Sequence, residues 1–156
     1  MEGGAIVGFA AILPKSRKSN ELGAQVENLA EKWLRKKGLK LLHKNFRCKC
    51  GEIDLIMLDK NTIAFIEVRL RTNKSFATGA ETVTYQKQQK IINTANYYLQ
   101  RNTKMIERPI RFDVISVSRK QTGTIDIGSS GIKNADTKKS SHADFDWIVN
   151  AFEVSY

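Results

Sequence analysis

Two acidic residues, Asp54 and Glu67, have the type and spacing to share a metal ion. Each lies in an apolar, strand-like run, 52–58 for the first and 62–71 for the second. If a two-residue loop at 60–61 joins these runs in a hairpin, Asp54 lies directly opposite Glu67. Opposed Cβ atoms on antiparallel strands are about 4.5–5.5 Å apart, so two ionised carboxylates there repel each other. A hard divalent cation such as Mg²⁺ or Mn²⁺ between their oxygens would relieve that repulsion.

Charged residues next to the acid pair allow two interpretations. They either complete a metal site or only neutralise the charge of the two acids. The same pairing places Glu52 opposite Arg69, and Arg69 shares one face of its strand with Glu67 and Arg71. An ion-paired sheet edge would need no metal. We favour the metal site for the set as a whole, because apolar neighbours predict a buried hairpin and the surrounding sequence is basic. If a metal at this site supports hydrolysis of a phosphodiester, Glu52 is a candidate for orienting the attacking water. Arg69 and Arg71 are candidates for contacting the phosphate.

The positive charge of the chain favours a polyanionic partner. The formal net charge is +10 and the pI is about 9.7. Between residues 15 and 49, eleven Lys and Arg residues face three Glu residues, a local excess of eight positive charges. We interpret this excess as a nucleic-acid surface rather than an ordinary solvated helix face, because it spans a helix, a turn and a strand. The predicted nucleic-acid-binding residues are Lys36, Lys37, Arg47, Arg71, Lys87 and Lys90.

The helix that must support this site comes first in the sequence. Apolar residues recur at spacings of three and four between residues 20 and 37, which predicts an amphipathic helix with Asn20 as its N-cap and Gly38 as its stop. Glu27 lies at the flank of the apolar face, from which it could reach over the sheet edge towards a metal or phosphate. Taken alone, Glu27 is an ordinary boundary glutamate, and periodicity does not separate it from Glu31.

Strands and a second helix follow this first helix. One strand is expected within 39–49, before the hairpin, and a helix over 84–99 is followed by a strand over 110–117. The apolar pattern returns over 145–154, which should dock onto the core. This order predicts a single α/β domain with a central mixed β-sheet flanked by helices.

The ends and one long segment are expected to lie outside this core. We predict a flexible leader over 1–18, a folded domain over 19–156 and a mobile loop over 119–143, in which 124–127 could form a short strand. The apolar segment 5–13 is too short to span a membrane, so no membrane association is expected.

The only two cysteines are Cys48 and Cys50. They lack a second cysteine pair and a histidine at zinc-finger spacing, which argues against a structural zinc site. Two thiols without a disulfide framework are typical of a reducing compartment, so we expect a cytoplasmic protein.

Several motifs resemble those of a known family. They are Gly23-x-x-x-Glu27-x-x-Ala30, Asn45-x-Arg47, GEIDLI at 51–56 and FIEVRLR at 65–71, followed by RFDVI at 111–115 and FDWIVNAF at 145–152. This set resembles the YraN family of bacterial proteins. That family in turn is similar to the restriction-endonuclease-like, or PD-(D/E)xK, superfamily, which includes Holliday-junction resolvases and the tRNA-endonuclease-like fold. The resemblance implies a core with the order α-β-β-β-α-β.

The resemblance also implies roles for individual residues. Glu27, Asp54 and Glu67 would be metal-associated acids, and the backbone carbonyl of Val68 would be a further ligand. Arg69 stands where the superfamily has a lysine. Arginine stays protonated at any relevant pH, so Arg69 cannot act as a base, although it can stabilise charge on a phosphate by donating hydrogen bonds.

The expected function is that of a Mg²⁺-dependent phosphodiesterase acting on DNA rather than RNA, with branched or damaged DNA as candidate substrates. The alternative is a non-catalytic nucleic-acid-binding module on the same fold. A third hypothesis is an interaction protein whose basic face binds an acidic partner or anionic lipid. Resolvase-like relatives form dimers, which makes a homodimer possible by analogy.

Overall fold

The computed structural model describes residues 15–71, 83–119 and 143–153. The main elements are two helices and five strands. They are α1 (Lys15–Lys36), β1 (Lys40–Cys48), β2 (Gly51–Asp59), β3 (Thr62–Arg71), α2 (Tyr85–Arg101), β4 (Ile110–Arg119) and β5 (Ala143–Phe152). A short 3₁₀ helix, Thr103–Met105, follows α2.

The five strands form one sheet in the order β1-β2-β3-β4-β5. All neighbouring strands are antiparallel except β3 and β4, which are parallel. A parallel pair needs a crossover connection, and α2 lies in that connection. The predicted mixed sheet flanked by helices is therefore confirmed, and its order is consistent with a restriction-endonuclease-like core.

The two helices cover opposite faces of the sheet. Val26, Ala30 and Leu34 of α1 belong to one buried cluster, together with residues of β2, β3 and β4. Ile91 and Ala95 of α2 belong to the other cluster, which also includes β5. Because both faces are covered, the middle of β3 is buried on both sides, which explains its continuous apolar run.

The hairpin has the predicted register. Asp59 pairs with Thr62, and the ladder continues to Leu55 and Ile66. Within the turn, Lys60 lies in the left-handed region, with φ 54°.

The boundaries of α1 differ from the prediction. The helix begins at Lys15, so Asn20 lies inside it and does not cap it. No proline or glycine separates residues 15 and 20, whereas Pro14 directly precedes Lys15 in the sequence. Gly38, with φ 100°, follows the end of α1 as expected.

The other boundaries agree with the prediction to within a few residues. Thr84 caps α2, and its side chain accepts a hydrogen bond from the Lys87 backbone. Residues 1–14 of the expected leader and 120–142 of the expected loop, including 124–127, lie outside the described residues. Within the described ranges, no helix is long and apolar enough to cross a bilayer.

Candidate functional site

The site begins at an irregularity in β2. Residues two apart on a strand normally share a face, yet Ile53 packs in the α2-side cluster and Leu55 in the α1-side cluster. On β1, Asn45 lies between the partners of these two residues and has φ 53°. In both strands, the regular alternation of side chains between the two faces of the sheet is therefore interrupted at this point. Asp54 lies at the interruption.

Asp54 makes a side-chain contact where the backbone pairing ends. The ladder between β2 and β3 extends only to Leu55 and Ile66. One residue beyond it, the Asp54 carboxylate accepts a hydrogen bond from the Val68 backbone N–H at 2.7 Å. This contact holds the carboxylate beside β3, next to Glu67.

The two acids are close enough to alter each other's protonation. Burial raises the pKa of Asp54 to about 7, and repulsion from Glu67 and Glu27 adds to that effect, whereas the Val68 N–H opposes it. Burial also raises the pKa of Glu67, which is 8% exposed. The structure thus brings together Asp54 and Glu67, the pair predicted from the hairpin.

Two cations partly neutralise Glu67. Lys87 Nζ lies 3.2 Å from Glu67 Oε2, and Arg69 Nη2 lies 3.7 Å from Glu67 Oε1. Lys87 was predicted to contact nucleic acid, and its ion pair with Glu67 was not predicted. The spacing of four residues between Lys87 and Ile91 places Lys87 on the buried face of α2, but it does not identify Glu67 as its partner.

Polar atoms beside the acid pair lack hydrogen bonds. Glu27 Oε2, Glu67 Oε2 and Arg69 Nε are buried without a hydrogen-bond partner, although Lys87 forms an ion pair with Glu67. Buried polar atoms are normally satisfied, so Glu27 Oε2 could accept a further ligand, whereas Glu67 Oε2 already faces the Lys87 ammonium. Glu27 is half-buried on α1, and its charge acts on Asp54.

The donor set suits a cation that keeps part of its water. No cluster of three or more His, Cys, Asp or Glu side chains close enough to hold a metal occurs among the described residues. Asp54 and Glu67 are instead two adjacent carboxylates, and Mg²⁺ commonly binds one or two carboxylates together with water and phosphate. The pair fits such an ion, and Glu27 would act at most through an intervening water.

The remaining predicted residues lie around the acid pair. Glu52 is exposed and forms an ion pair with Arg47 at 3.2 Å, so the expected Glu52–Arg69 contact was wrong. The reason is the end of the β2–β3 ladder, which leaves β1 as the neighbour of Glu52. Arg71 is paired with Asp146 on β5 at 3.3 Å.

The predicted basic surface is only partly next to the acids. Lys90 is exposed on α2, one turn from Lys87. Lys36 and Lys37 are exposed at the end of α1, where the Lys37 ammonium lies 5.0 Å from the centre of the Trp33 ring. None of these three lysines forms an ion pair with the acid pair.

Comparison with known proteins places this arrangement in a family. The family model described as "Uncharacterised protein family UPF0102" matches residues 26–117, more than half of the chain. The chain belongs to the UPF0102 family. The resemblance to the YraN proteins is thereby confirmed. The matched region contains Glu27, Asp54, Glu67, Arg69 and Lys87.

Individual members are similar over most of their length. A UPF0102 protein of Saccharophagus degradans is 45% identical over 104 residues, which cover 67% of this chain and 88% of the relative. A UPF0102 protein of Pseudomonas aeruginosa is 37% identical over 136 residues, 87% of this chain and 95% of the relative. A Stutzerimonas stutzeri member is 35% identical over 136 residues, 87% and 98% of the two chains.

Proposed function

We propose that this protein is a divalent-metal-dependent phosphodiesterase that acts on nucleic acid, with DNA as its substrate rather than RNA. Branched or damaged DNA is the expected substrate class. The observation that carries the proposal is the acid pair itself. Asp54 and Glu67 are largely buried side by side, and burial with mutual repulsion raises the pKa of Asp54 to about 7.

Asp54 and Glu67 would hold Mg²⁺ or Mn²⁺, with the Val68 carbonyl as a further ligand. Glu27 would contribute through water, since its buried Oε2 lacks a hydrogen bond. A divalent cation bound there would lower the pKa of a coordinated water and neutralise charge on the phosphate.

The basic residues around the acids would bind and orient the substrate. Arg69 and Lys87 lie beside Glu67, where their donors can stabilise negative charge on a phosphate. Arg69 cannot accept a proton, so activation of water falls to other groups, with Glu27 or Glu52 as the candidates for orienting it. The exposed residues Arg47 and Lys90 would contact the nucleic-acid backbone.

Further basic residues extend this binding surface, namely Lys36, Lys37 and Arg71. The two cysteines are free among the described residues, and we propose that the protein works in the reducing cytoplasm.

The test is a calorimetric titration of Mg²⁺ and Mn²⁺ into the wild type and Asp54→Ala, followed by cleavage of a branched-DNA panel. Glu107→Gln is the matched control, because it removes an exposed acid in the turn that follows α2. We expect metal binding and cleavage in the wild type and control and neither in Asp54→Ala. Equal metal binding by Asp54→Ala would refute the assignment of the metal to this pair.

The second candidate is a non-catalytic nucleic-acid-binding module. It is favoured by the contacts that the acids already have, which are the Val68 N–H on Asp54 and the Lys87 and Arg69 cations on Glu67. Such a module would bind DNA with a steep salt dependence but would neither bind Mg²⁺ nor cleave any member of the panel. Cleavage that requires Asp54 would exclude it.

A further inference from the structure

An open cavity lies beside the acid pair, between the β1–β2 turn and the start of α2. Its volume is about 480 Å³, within the range of small-ligand pockets. Four of the residues that line it are cations: Arg47, Lys49, Lys87 and Lys90. Lys87 connects the cavity with the acid pair, because its ammonium also contacts Glu67.

Two of these cations have no acidic partner. Arg47 is paired with Glu52, and Lys87 with Glu67. Across the described part of the chain, neither Lys49 nor Lys90 has a carboxylate within ion-pair distance. The cavity therefore carries two uncompensated positive charges, both on exposed side chains.

A glycine fixes the shape of this cavity. Gly51 has φ 153°, a conformation that side chains disfavour. A Cβ atom there would lie 3.2 Å from Thr94 Oγ1 and 3.3 Å from Lys90 Cβ. The absence of a side chain thus lets the β1–β2 turn pack closely against α2 and brings Lys49 and Lys90 to the same cavity.

We propose that this cavity is a phosphate-binding subsite, which takes a phosphate group of a nucleic-acid strand next to the phosphodiester held at Asp54 and Glu67. The lining residues include four cations, no aromatic side chain and one acid, Glu52, which is paired with Arg47, so the cavity suits a phosphate and not a stacked base. The inference rests on the proposed function in taking nucleic acid as the source of the phosphate. It requires no metal and no cleavage.

The test measures the binding of a single-stranded oligonucleotide by fluorescence anisotropy in EDTA. The variant is Lys49→Ala with Lys90→Ala, and the control is Lys60→Asn with Lys104→Ala. The control removes the same charge from exposed residues in the β2–β3 turn and after α2, and Asn is tolerated at the left-handed position 60.

We expect the cavity variant to bind at least about fivefold more weakly than the control. The slope of its affinity against salt should be smaller by about 0.7 for each phosphate of a single strand that is no longer neutralised. Equal affinities and slopes for the two double variants would overturn the proposal. Because no metal is present, a failure of cleavage in the earlier assay leaves this outcome unaffected.

The source of the phosphate is resolved by three ligands, which are a 5′-phosphorylated strand, the same strand with a 5′-hydroxyl, and a circular strand. A terminal phosphate is the ligand if 5′ phosphorylation strengthens binding and the cavity variant loses that gain. An internal phosphate is the ligand if all three bind alike and all are weakened by the variant.

Thiol labelling gives a second readout. Cys48 and Cys50 both line the cavity, and they are the only cysteines in the chain. A bound strand should therefore slow the reaction of the wild type and the control with a thiol reagent by several fold. Unchanged labelling at saturating oligonucleotide would place the strand elsewhere and overturn the proposal.

Discussion

Two parts of the sheet bury acidic residues in opposite ways. Asp113 on β4 is fully buried, and its carboxylate accepts hydrogen bonds from Arg111 Nε, from Trp147 Nε1 at 3.1 Å and from the Asn150 backbone N–H at 2.9 Å. Asp54 receives one backbone N–H and faces another carboxylate, Glu67. The first acid joins β4 to β5, whereas the second lies in surroundings that disfavour its charge.

The difference separates a structural acid from a candidate functional one. A buried carboxylate with several donors is costly to remove, because its donors are then left buried without an acceptor. A buried carboxylate pair with few donors costs stability and is retained where it has another use. Asp113 is fully buried and Asp54 partly buried, but the balance of donors and like charges is what separates their roles.

The largest expected effect is on cleavage. Asp54→Asn keeps an oxygen that can accept the Val68 N–H but loses the negative charge, so we expect DNA cleavage in Mg²⁺ to fall by at least about 10²-fold. DNA affinity should change little. Single-turnover cleavage and anisotropy measure the two quantities, and full activity in the variant would show that Asp54 resembles Asp113 in being structural.

The next largest effect is the loss of protein stability when the structural acid, Asp113, is replaced. Asp113→Ala leaves buried donors of Arg111 and Trp147 without their acceptor, so we expect the free energy of unfolding to fall by about 3 kcal/mol. Urea denaturation followed by circular dichroism measures it, with Glu107→Gln as the control. A decrease no larger than that of the control would remove the contrast between the two regions.

The contribution of Asp54 to folding stability should change with pH in the opposite direction to that of an ordinary ion-paired acid. The pKa of Asp54 is about 7 in the folded protein and ~3.9 when unfolded, so folding favours its protonated form. Its contribution to stability is therefore present below pH ~4 and is lost as the pH rises through about 7. Asp54→Asn has no carboxyl group to titrate at this position, so it does not lose this stability as the pH rises.

We expect the stability of Asp54→Asn relative to the wild type to increase by about 2 kcal/mol between pH 4 and pH 8 in metal-free buffer. Urea denaturation at each pH gives both values. A difference that stays constant across this range would show that the Asp54 pKa is not raised.

The smallest expected effect is that of Glu67→Gln. Burial raises the pKa of Glu67 although Lys87 and Arg69 lower it, so its negative charge is less favourable in the folded protein than in the unfolded chain. We expect the substitution to raise the free energy of unfolding at pH 7 by about 1 kcal/mol in EDTA. Destabilisation instead would mean that the Lys87 ion pair outweighs the repulsion from Asp54.

The regular elements could be predicted from the sequence because they rest on local patterns. The two-residue loop at 60–61 set the register of the hairpin, and hence the approach of Asp54 to Glu67. The spacing of apolar residues located α2 to within two residues at each end.

The departures from the prediction arise from contacts between elements. Strict alternation could not reveal that the faces of β1 and β2 change near Asn45, nor that the β2–β3 ladder ends before Asp54. For the same reason the partner of Glu52 is Arg47 and not Arg69. The ion pair of Lys87 with Glu67 required knowledge of how α2 crosses the sheet.

The distribution of the site over the chain has a consequence for the folding of the protein. Asp54 and Glu67 lie in one hairpin with a short loop, whose closure requires little entropy, whereas Glu27 and Lys87 come from helices on opposite faces. In a hairpin without docked helices, water would screen the two carboxylates from each other. Their repulsion becomes strong only when α1 and α2 exclude that water, so the electrostatic penalty of the site arises when the helices dock and not when the hairpin closes. The repulsion between Asp54 and Glu67 should therefore have little effect on closure of the hairpin, although it is strong in the folded protein.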